Sequence, residues 1–177
     1  MDDNTLAAAL LASGPDPAHV GDLQLFGQFI GSWEIEWRGT DTSGNPVRTT
    51  GELDFGWVLG GRAVQDVWKV PGPGLTMPGG RPGFSGSTIR FYDAGIGAWR
   101  STWIDPSNGR VRRFIGRPVG DTIVLEGLDD EPRERWSFRD ITPDSFRWVG
   151  ETSDDGVTWI HDEEMIIRRR QAAGRRH

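Results

Sequence analysis

The sequence predicts an all-β fold: a single antiparallel up-and-down β-barrel of about ten strands, preceded by a short N-terminal helical segment. Nine Trp and eight Phe supply large apolar side chains in a chain whose hydrophobic share is only 36%. The 25 Gly and 11 Pro are spread between short segments in which apolar and polar residues alternate. Closing such strands into a barrel removes the exposed edges that an open sheet of this length would present.

Two apolar segments near the N-terminus have helical character. The first, at residues 6–12, follows the capping pair Asn4-Thr5 and ends before Gly14-Pro15. The second has near-helical spacing and predicts a helix that plugs the barrel before the first strand; its apolar members are Leu23, Leu25, Phe26, Phe29 and Ile30. We therefore expect a helical extension at 1–21, a barrel at 22–168 and a basic, disordered tail at 169–177.

The change from helical to period-two spacing marks the first strand, where Trp33, Ile35 and Trp37 alternate with polar residues. Turn residues then separate the other expected strands, at 47–58, 62–70, 87–92, 98–104, 110–115, 122–126, 133–139, 145–151 and 157–168. Residues 71–84 are too rich in Pro and Gly for a strand and too many for a tight turn. They form either a mobile flap over one barrel mouth or an ordinary surface loop.

Composition and charge exclude several classes of function. The absence of Cys rules out a disulfide framework and thiolate metal sites, and the scattered positions of His19, His161 and His177 predict no metal site. The net charge of -6 includes a cluster of C-terminal arginines, so the rest of the chain is acidic and no nucleic-acid partner is expected.

Residues 6–12 are too short for a secretory signal and lack its basic flank. Without a membrane-length apolar stretch, we expect a cytoplasmic protein with no membrane partner and leave a homodimer open.

Period-two spacing assigns a set of residues to the barrel interior: Trp33, Ile35, Trp37, Val64, Asp66, Trp68, Trp99, Trp103, Trp136, Phe138, Phe146, Trp148, Trp159, His161, Glu163 and Met165. The aromatic majority predicts a pocket for an apolar or aromatic small molecule. The expected ligand-binding residues are Trp37, Trp68, Arg90, Tyr92, Trp99, Trp103, Trp136, Trp148 and Trp159. The alternative is that the tryptophans simply fill the core.

Three ionisable residues are candidates for catalysis. His161 and Glu163 are two apart and therefore share a face of a regular strand. A carboxylate beside an imidazole can orient it for general acid or base work, and Asp66 supplies a second carboxylate from across the barrel. The alternative is that His161 and Glu163 face outward, because a slip of one residue reverses every assignment.

Arg90 and Tyr92 compete with Ile89 and Phe91 for the interior, because the two pairs occupy opposite faces of one strand. Hydrophobicity favours the outward position for Arg90. An inward Arg90 would bind a ligand carboxylate through charge-assisted hydrogen bonds.

Five segments of the chain form a recognisable combination: Phe29-Ile30-Gly31-Ser32-Trp33, Trp57-Val58-Leu59-Gly60-Gly61-Arg62, Arg90-Phe91-Tyr92-Asp93, Trp99-Arg100 and Trp103-Ile104-Asp105-Pro106. Together they resemble an uncharacterised bacterial family with a lipocalin-like, or calycin, barrel. The resemblance covers roughly residues 22–170. It implies a barrel that holds an apolar ligand, and for a few calycin relatives it implies hydration or cyclisation of that ligand.

With a single histidine on its last strand, the chain also resembles the nitrobindin group, whose barrels hold haem through one such residue. The Gly-x-Trp-x-Gly-x-Gly opening of that group is missing, because Gly31-Ser32-Trp33 is followed by Glu34. The functional hypotheses are therefore binding of an apolar or aromatic small molecule without a cofactor, a lyase, isomerase or cyclase using the same pocket, and haem binding through His161.

Overall fold

Short helices and a long succession of strands make up the chain, of which the computed structural model describes residues 5–129 and 132–171. The helices are α1 (Thr5–Leu10) and α2 (Val20–Gly27), with single 3₁₀ turns at Pro17–His19 and Pro78–Gly80. The strands are β1 (Leu11–Ala12), β2 (Gly31–Thr40), β3 (Pro46–Val58), β4 (Ala63–Val70), β5 (Phe84–Asp93), β6 (Ala98–Asp105), β7 (Arg110–Val119), β8 (Thr122–Gly127), β9 (Arg133–Arg139), β10 (Ser145–Ser153) and β11 (Ile160–Arg169).

Strands β2 to β11 form the closed barrel, each pairing antiparallel with the next. Closure is made by β11 and β2, with Ile167 opposite Ile35 and Met165 opposite Trp37. The short strand β1 adds to β3, where Leu11 lies opposite Val58. The predicted ten-stranded up-and-down barrel with a short N-terminal helix is confirmed.

Helix α2 plugs one end of the barrel, as the spacing of its apolar residues predicts. Leu23 and Phe26 are buried on it, and Phe29 follows in the connection to β2. The Phe26 ring lies 4.9 Å from the Trp99 ring, and the Phe29 ring lies 4.7 Å from that of Phe146. This end of the barrel is therefore a packed aromatic core, and free volume is found toward the other end.

A β-bulge interrupts β11 near its start. Gly150 of β10 lies opposite Glu163, but the next residue, Glu151, lies opposite His161, so Asp162 has no partner across the ladder. An extra residue of this kind shifts the alternation of faces by one position. The interior pattern of β11 is thus regular from Glu163 onward and reversed before it.

The C-terminal end of β11 is anchored by Arg169, which lies within the segment expected to be a tail. Its guanidinium donates to the backbone oxygens of Ile30, at 2.8 Å, and Pro143, at 2.9 Å, and covers the Trp33 ring. The remainder of the expected tail, from residue 172, lies outside the described residues. None of the helices within residues 5–129 and 132–171 is long and apolar enough to cross a membrane.

Candidate functional site

The end of the barrel away from α2 encloses a cavity of about 190 Å³. The apolar part of its wall is mainly aromatic and comes from six strands: Trp68, Phe84, Trp103, Trp136, Phe138, Trp148 and Met165. Such a wall buries a flat apolar molecule by dispersion and the hydrophobic effect. The interior is therefore a cavity and not a filled core at this end.

The four cavity tryptophans form a connected chain of tilted and edge-to-face contacts. The Trp136 ring lies 5.4 Å from Trp148 and 6.1 Å from Trp103, and Trp148 lies 6.1 Å from Trp68. Within the described part of the chain, no hydrogen bond uses the indole nitrogen of any of the four, whereas the Trp33 indole donates to the Phe29 carbonyl at 2.7 Å. The four cavity indoles thus have N–H groups that no acceptor among the described residues uses.

Glycines lie beneath several of these indoles. A Cβ on Gly86 would overlap the six-membered ring of Trp103, and a Cβ on Gly150 would lie 2.8 Å from the Trp148 ring. Gly39 has the same relation to Trp37. Each indole therefore occupies the space that a side chain on the adjacent glycine would fill.

The floor of the cavity carries a buried ion pair. Arg90 and Asp66 are 2% and 1% exposed, and Arg90 Nη1 lies 2.7 Å from Asp66 Oδ2. The N–H directions do not point at that oxygen, so the contact is an ion pair without a directed hydrogen bond. Asp66 Oδ1 accepts the backbone N–H of Thr88 at 2.8 Å, and the Arg90 guanidinium lies over the Phe26 ring at 4.7 Å.

The prediction from hydrophobicity that Arg90 faces outward is wrong. Arg90 faces the cavity, while Phe91 is 46% exposed on the outer surface. The pairing of β4 with β5 explains this result, because Asp66 lies opposite Thr88, one inward position from Arg90. The carboxylate of Asp66 thus compensates the charge of the inward guanidinium.

The mouth of the cavity is organised around Glu163. Its carboxylate accepts the Trp37 indole N–H at 2.5 Å, and Asp162 and Arg81 lie beside it on the cavity wall. Burial raises the pKa of Glu163, opposed by the hydrogen bond from Trp37 and reinforced by the negative charge of Asp162. Glu163 therefore keeps its proton to a higher pH than an ordinary glutamate.

Glu163→Gln is expected to remove a pH dependence of stability. Because the folded-state pKa is raised, the stabilisation from neutral Glu163 is fully present below its ordinary value of 4.5 and is lost as pH rises through the folded-state value. The free energy of unfolding of the wild type minus that of Glu163→Gln should therefore fall as pH rises above 4.5. Urea denaturation of both proteins from pH 4 to 8 measures this difference, and a flat difference would contradict the raised pKa.

The segment between β4 and β5 lies over the mouth. Arg81 and Pro82 line the cavity, and the Arg81 guanidinium lies 5.4 Å above the Trp37 ring. Arg81 also donates to the Thr40 carbonyl at 3.2 Å. Residues 71–84 were expected to form either a flap over one mouth or an ordinary surface loop, and this position fits the flap. The mobility of the segment stays a prediction.

The interior positions expected for His161 and Trp159 are wrong. His161 is exposed, and its Nε2 lies 3.9 Å from the outward-facing Glu164. Because of the bulge at Asp162, His161 and Glu163 are two residues apart yet lie on opposite faces. Trp159 precedes β11 and stacks under Arg135 on the outer surface, with the guanidinium 4.1 Å from its ring.

The other predicted site residues divide between the cavity and its surroundings. Trp68, Arg90, Trp103, Trp136 and Trp148 line it with Glu163, while Asp66 lies behind Arg90. Trp37 holds Glu163 from outside the lining, and Trp99 and Tyr92 pack together at the plugged end, with rings 6.2 Å apart. Neither an acid–base pair nor a haem ligand is therefore formed by His161 at the cavity.

Sequence reasoning missed several polar residues of the cavity: Arg81, Thr88, Asp105, Asn108, Arg110 and Asp162. Thr88 was detectable, because it shares a face with Arg90. Asp105 was detectable as well, because it shares a face of β6 with Trp103. The others come from a loop, a turn, the start of a strand and the bulge. Within the described ranges, no group of three or more His, Asp or Glu side chains is placed to hold a metal ion.

Comparisons with known proteins agree on the fold. No protein-family model matches the chain, and no curated protein matches it in sequence. The crystal structure of Rv2717c from M. tuberculosis superposes with a TM-score of 0.60 at 17% identity, over 85% of this chain and 98% of that one. The S-type phycobiliprotein lyase CPES from Guillardia theta superposes with a TM-score of 0.55 at 12% identity, over 84% and 92%. The barrel is thus calycin-like.

Proposed function

We propose that this protein binds an apolar or aromatic small molecule in the barrel cavity. The observation that carries the proposal is the cavity of about 190 Å³ whose wall includes four indoles with unused N–H groups. A core selected for packing alone closes such a volume, because empty space costs stability. The calycin-like neighbours support the same reading, since one of them is named a phycobiliprotein lyase.

Calorimetric titration of the protein into 2-ethylnaphthalene tests this function. We expect saturable one-to-one binding, and we expect Trp136→Ala to weaken it about tenfold, because loss of an aromatic partner removes ring contacts and buried area. Trp159→Phe is the matched control and should bind as the wild type does, because Trp159 lies on the outer surface. No heat of binding in wild type, or equal losses in the two variants, would contradict the proposal.

Acid–base catalysis on the bound molecule is a second candidate function, favoured by the environment of Glu163. Its carboxyl faces the cavity and its pKa is raised, so it can donate a proton to a substrate in a lyase, isomerase or cyclase reaction. Native mass spectrometry of freshly purified protein would identify a retained ligand, and Glu163→Gln should then abolish its turnover. Unchanged turnover in this variant would exclude the mechanism.

A further inference from the structure

We propose that the floor of the cavity recognises an uncharged hydrogen-bond acceptor of the ligand, such as the carbonyl of a ketone, amide or lactam, in preference to a carboxylate. This inference rests on the proposed binding function. It assigns the chemical class of the group that enters the cavity first. Two features of the floor support it: the donors of Arg90 and the negative charge of Asp66, which already compensates Arg90.

The floor presents hydrogen-bond donors. Arg90 carries only donors. Its Nε and Nη1 are fully enclosed beside Asp66, whereas Nη2 is not fully enclosed and makes no hydrogen bond to the described residues. The side chain of Thr88 lines the cavity beside Arg90. A ligand oxygen placed at Nη2 would accept a hydrogen bond that the protein alone does not supply.

The charge of Arg90 is already compensated. Asp66 Oδ2 lies 2.7 Å from the guanidinium, and the Asp66 side chain lies behind Arg90, outside the cavity lining. A ligand carboxylate at Arg90 would therefore place a second negative charge against a pair whose net charge is zero. Burying an uncompensated charge costs far more than burying a carbonyl that accepts a hydrogen bond.

Other charged groups of the cavity do not change this balance at the floor. Arg81 and Arg110 are partly exposed at the mouth and face Asp162 at 3.9 Å and Glu134 at 2.9 Å. Asp105 accepts from the Ser107 backbone and the Asn108 side chain, so its oxygens are engaged within its own turn. No second cation among the described residues accompanies Arg90 at the floor.

Three naphthalenes of similar shape test the proposal in the full-length protein: 2-acetylnaphthalene, 2-naphthoate and 2-ethylnaphthalene. We expect calorimetry at neutral pH to show 2-acetylnaphthalene binding about tenfold more tightly than either of the others. Wild-type protein that binds 2-naphthoate as tightly as 2-acetylnaphthalene overturns the inference and leaves the binding function standing. Failure of all three to bind overturns both.

The variant Asp66→Asn should change which probe the cavity prefers, an effect that a purely structural ion pair would not produce. The asparagine oxygen still accepts from Thr88, while Arg90 becomes an uncompensated cation at the floor. We expect 2-naphthoate to gain at least about tenfold in affinity relative to 2-acetylnaphthalene. An unchanged ratio in folded Asp66→Asn overturns the inference.

The uncharged double variant Asp66→Asn/Arg90→Gln covers the case in which Asp66→Asn does not fold. It removes both charges and the guanidinium donors, and the shorter glutamine keeps a polar but uncharged side chain at position 90. The preference for 2-acetylnaphthalene over 2-ethylnaphthalene should shrink toward one, because the donors that distinguish the two probes are reduced. If that preference persists at its wild-type value, Arg90 is not the donor and the inference fails.

Discussion

Asp66→Ala is expected to lower the free energy of unfolding by about 3–5 kcal/mol, because it leaves the Arg90 charge buried without its partner. Both side chains are almost completely buried, and their charged atoms lie 2.7 Å apart. The variant also removes the oxygen that accepts the Thr88 N–H. Equilibrium denaturation in urea, followed by far-UV circular dichroism, measures the loss.

Two comparisons separate this effect from the removal of any acidic residue. Asp93→Ala breaks an exposed pair with Arg100, at 2.6 Å, and should change stability little because solvent screens that pair. Asp66→Leu/Arg90→Met removes both buried charges and should recover most of the loss, since apolar pairs often replace buried ion pairs without cost. Equal effects of Asp66→Ala and Asp93→Ala would show that Arg90 reaches solvent.

Phe26→Ala is expected to lower the free energy of unfolding by about 3–5 kcal/mol, because it empties the centre of the plug. The Phe26 ring is fully buried and contacts Trp99 and Phe138, with centroids 4.9 Å and 5.7 Å away. It also forms the ring face beneath the Arg90 guanidinium. The packed rings around Phe26 are expected to relax only partly, so most of the space left by the lost ring should stay empty.

Val20→Ala provides the control on the same helix. Val20 is 48% exposed, so its truncation should change stability by about 0.5 kcal/mol or less. Urea denaturation midpoints of the two variants and the wild type give the comparison. A Phe26→Ala protein as stable as Val20→Ala would mean that α2 is not a structural part of the barrel core.

The fold was predictable because period two operates over most of each strand. Trp33, Ile35 and Trp37 alternate with charged residues on β2, and all three are buried. On β4 the same spacing correctly places Val64, Asp66 and Trp68 inside. In each case one face of a regular strand is buried, so the pattern alone determines which side chains point inward.

The candidate site was less predictable because its polar residues depend on features without a period. One extra residue at Asp162 turns His161 outward, and nothing in the local sequence distinguishes a bulged strand from a regular one. Arg90 faces inward on the same side of β5 as Thr88, and its contact with Asp66 depends on the register of β4 and β5. Arg81 reaches the mouth from a Pro- and Gly-rich segment whose path depends on tertiary contacts.

The glycines beneath Trp103 and Trp148, Gly86 and Gly150, leave the space in which these two indoles lie. A methyl group added at Gly150 would press on the Trp148 ring, and one added at Gly86 would meet both the Trp103 ring and the backbone oxygen of Ile104. The positions of two cavity indoles thus depend on residues that are not part of the cavity lining. Substitution of either glycine by alanine would therefore alter the shape of the cavity without changing any residue that lines it.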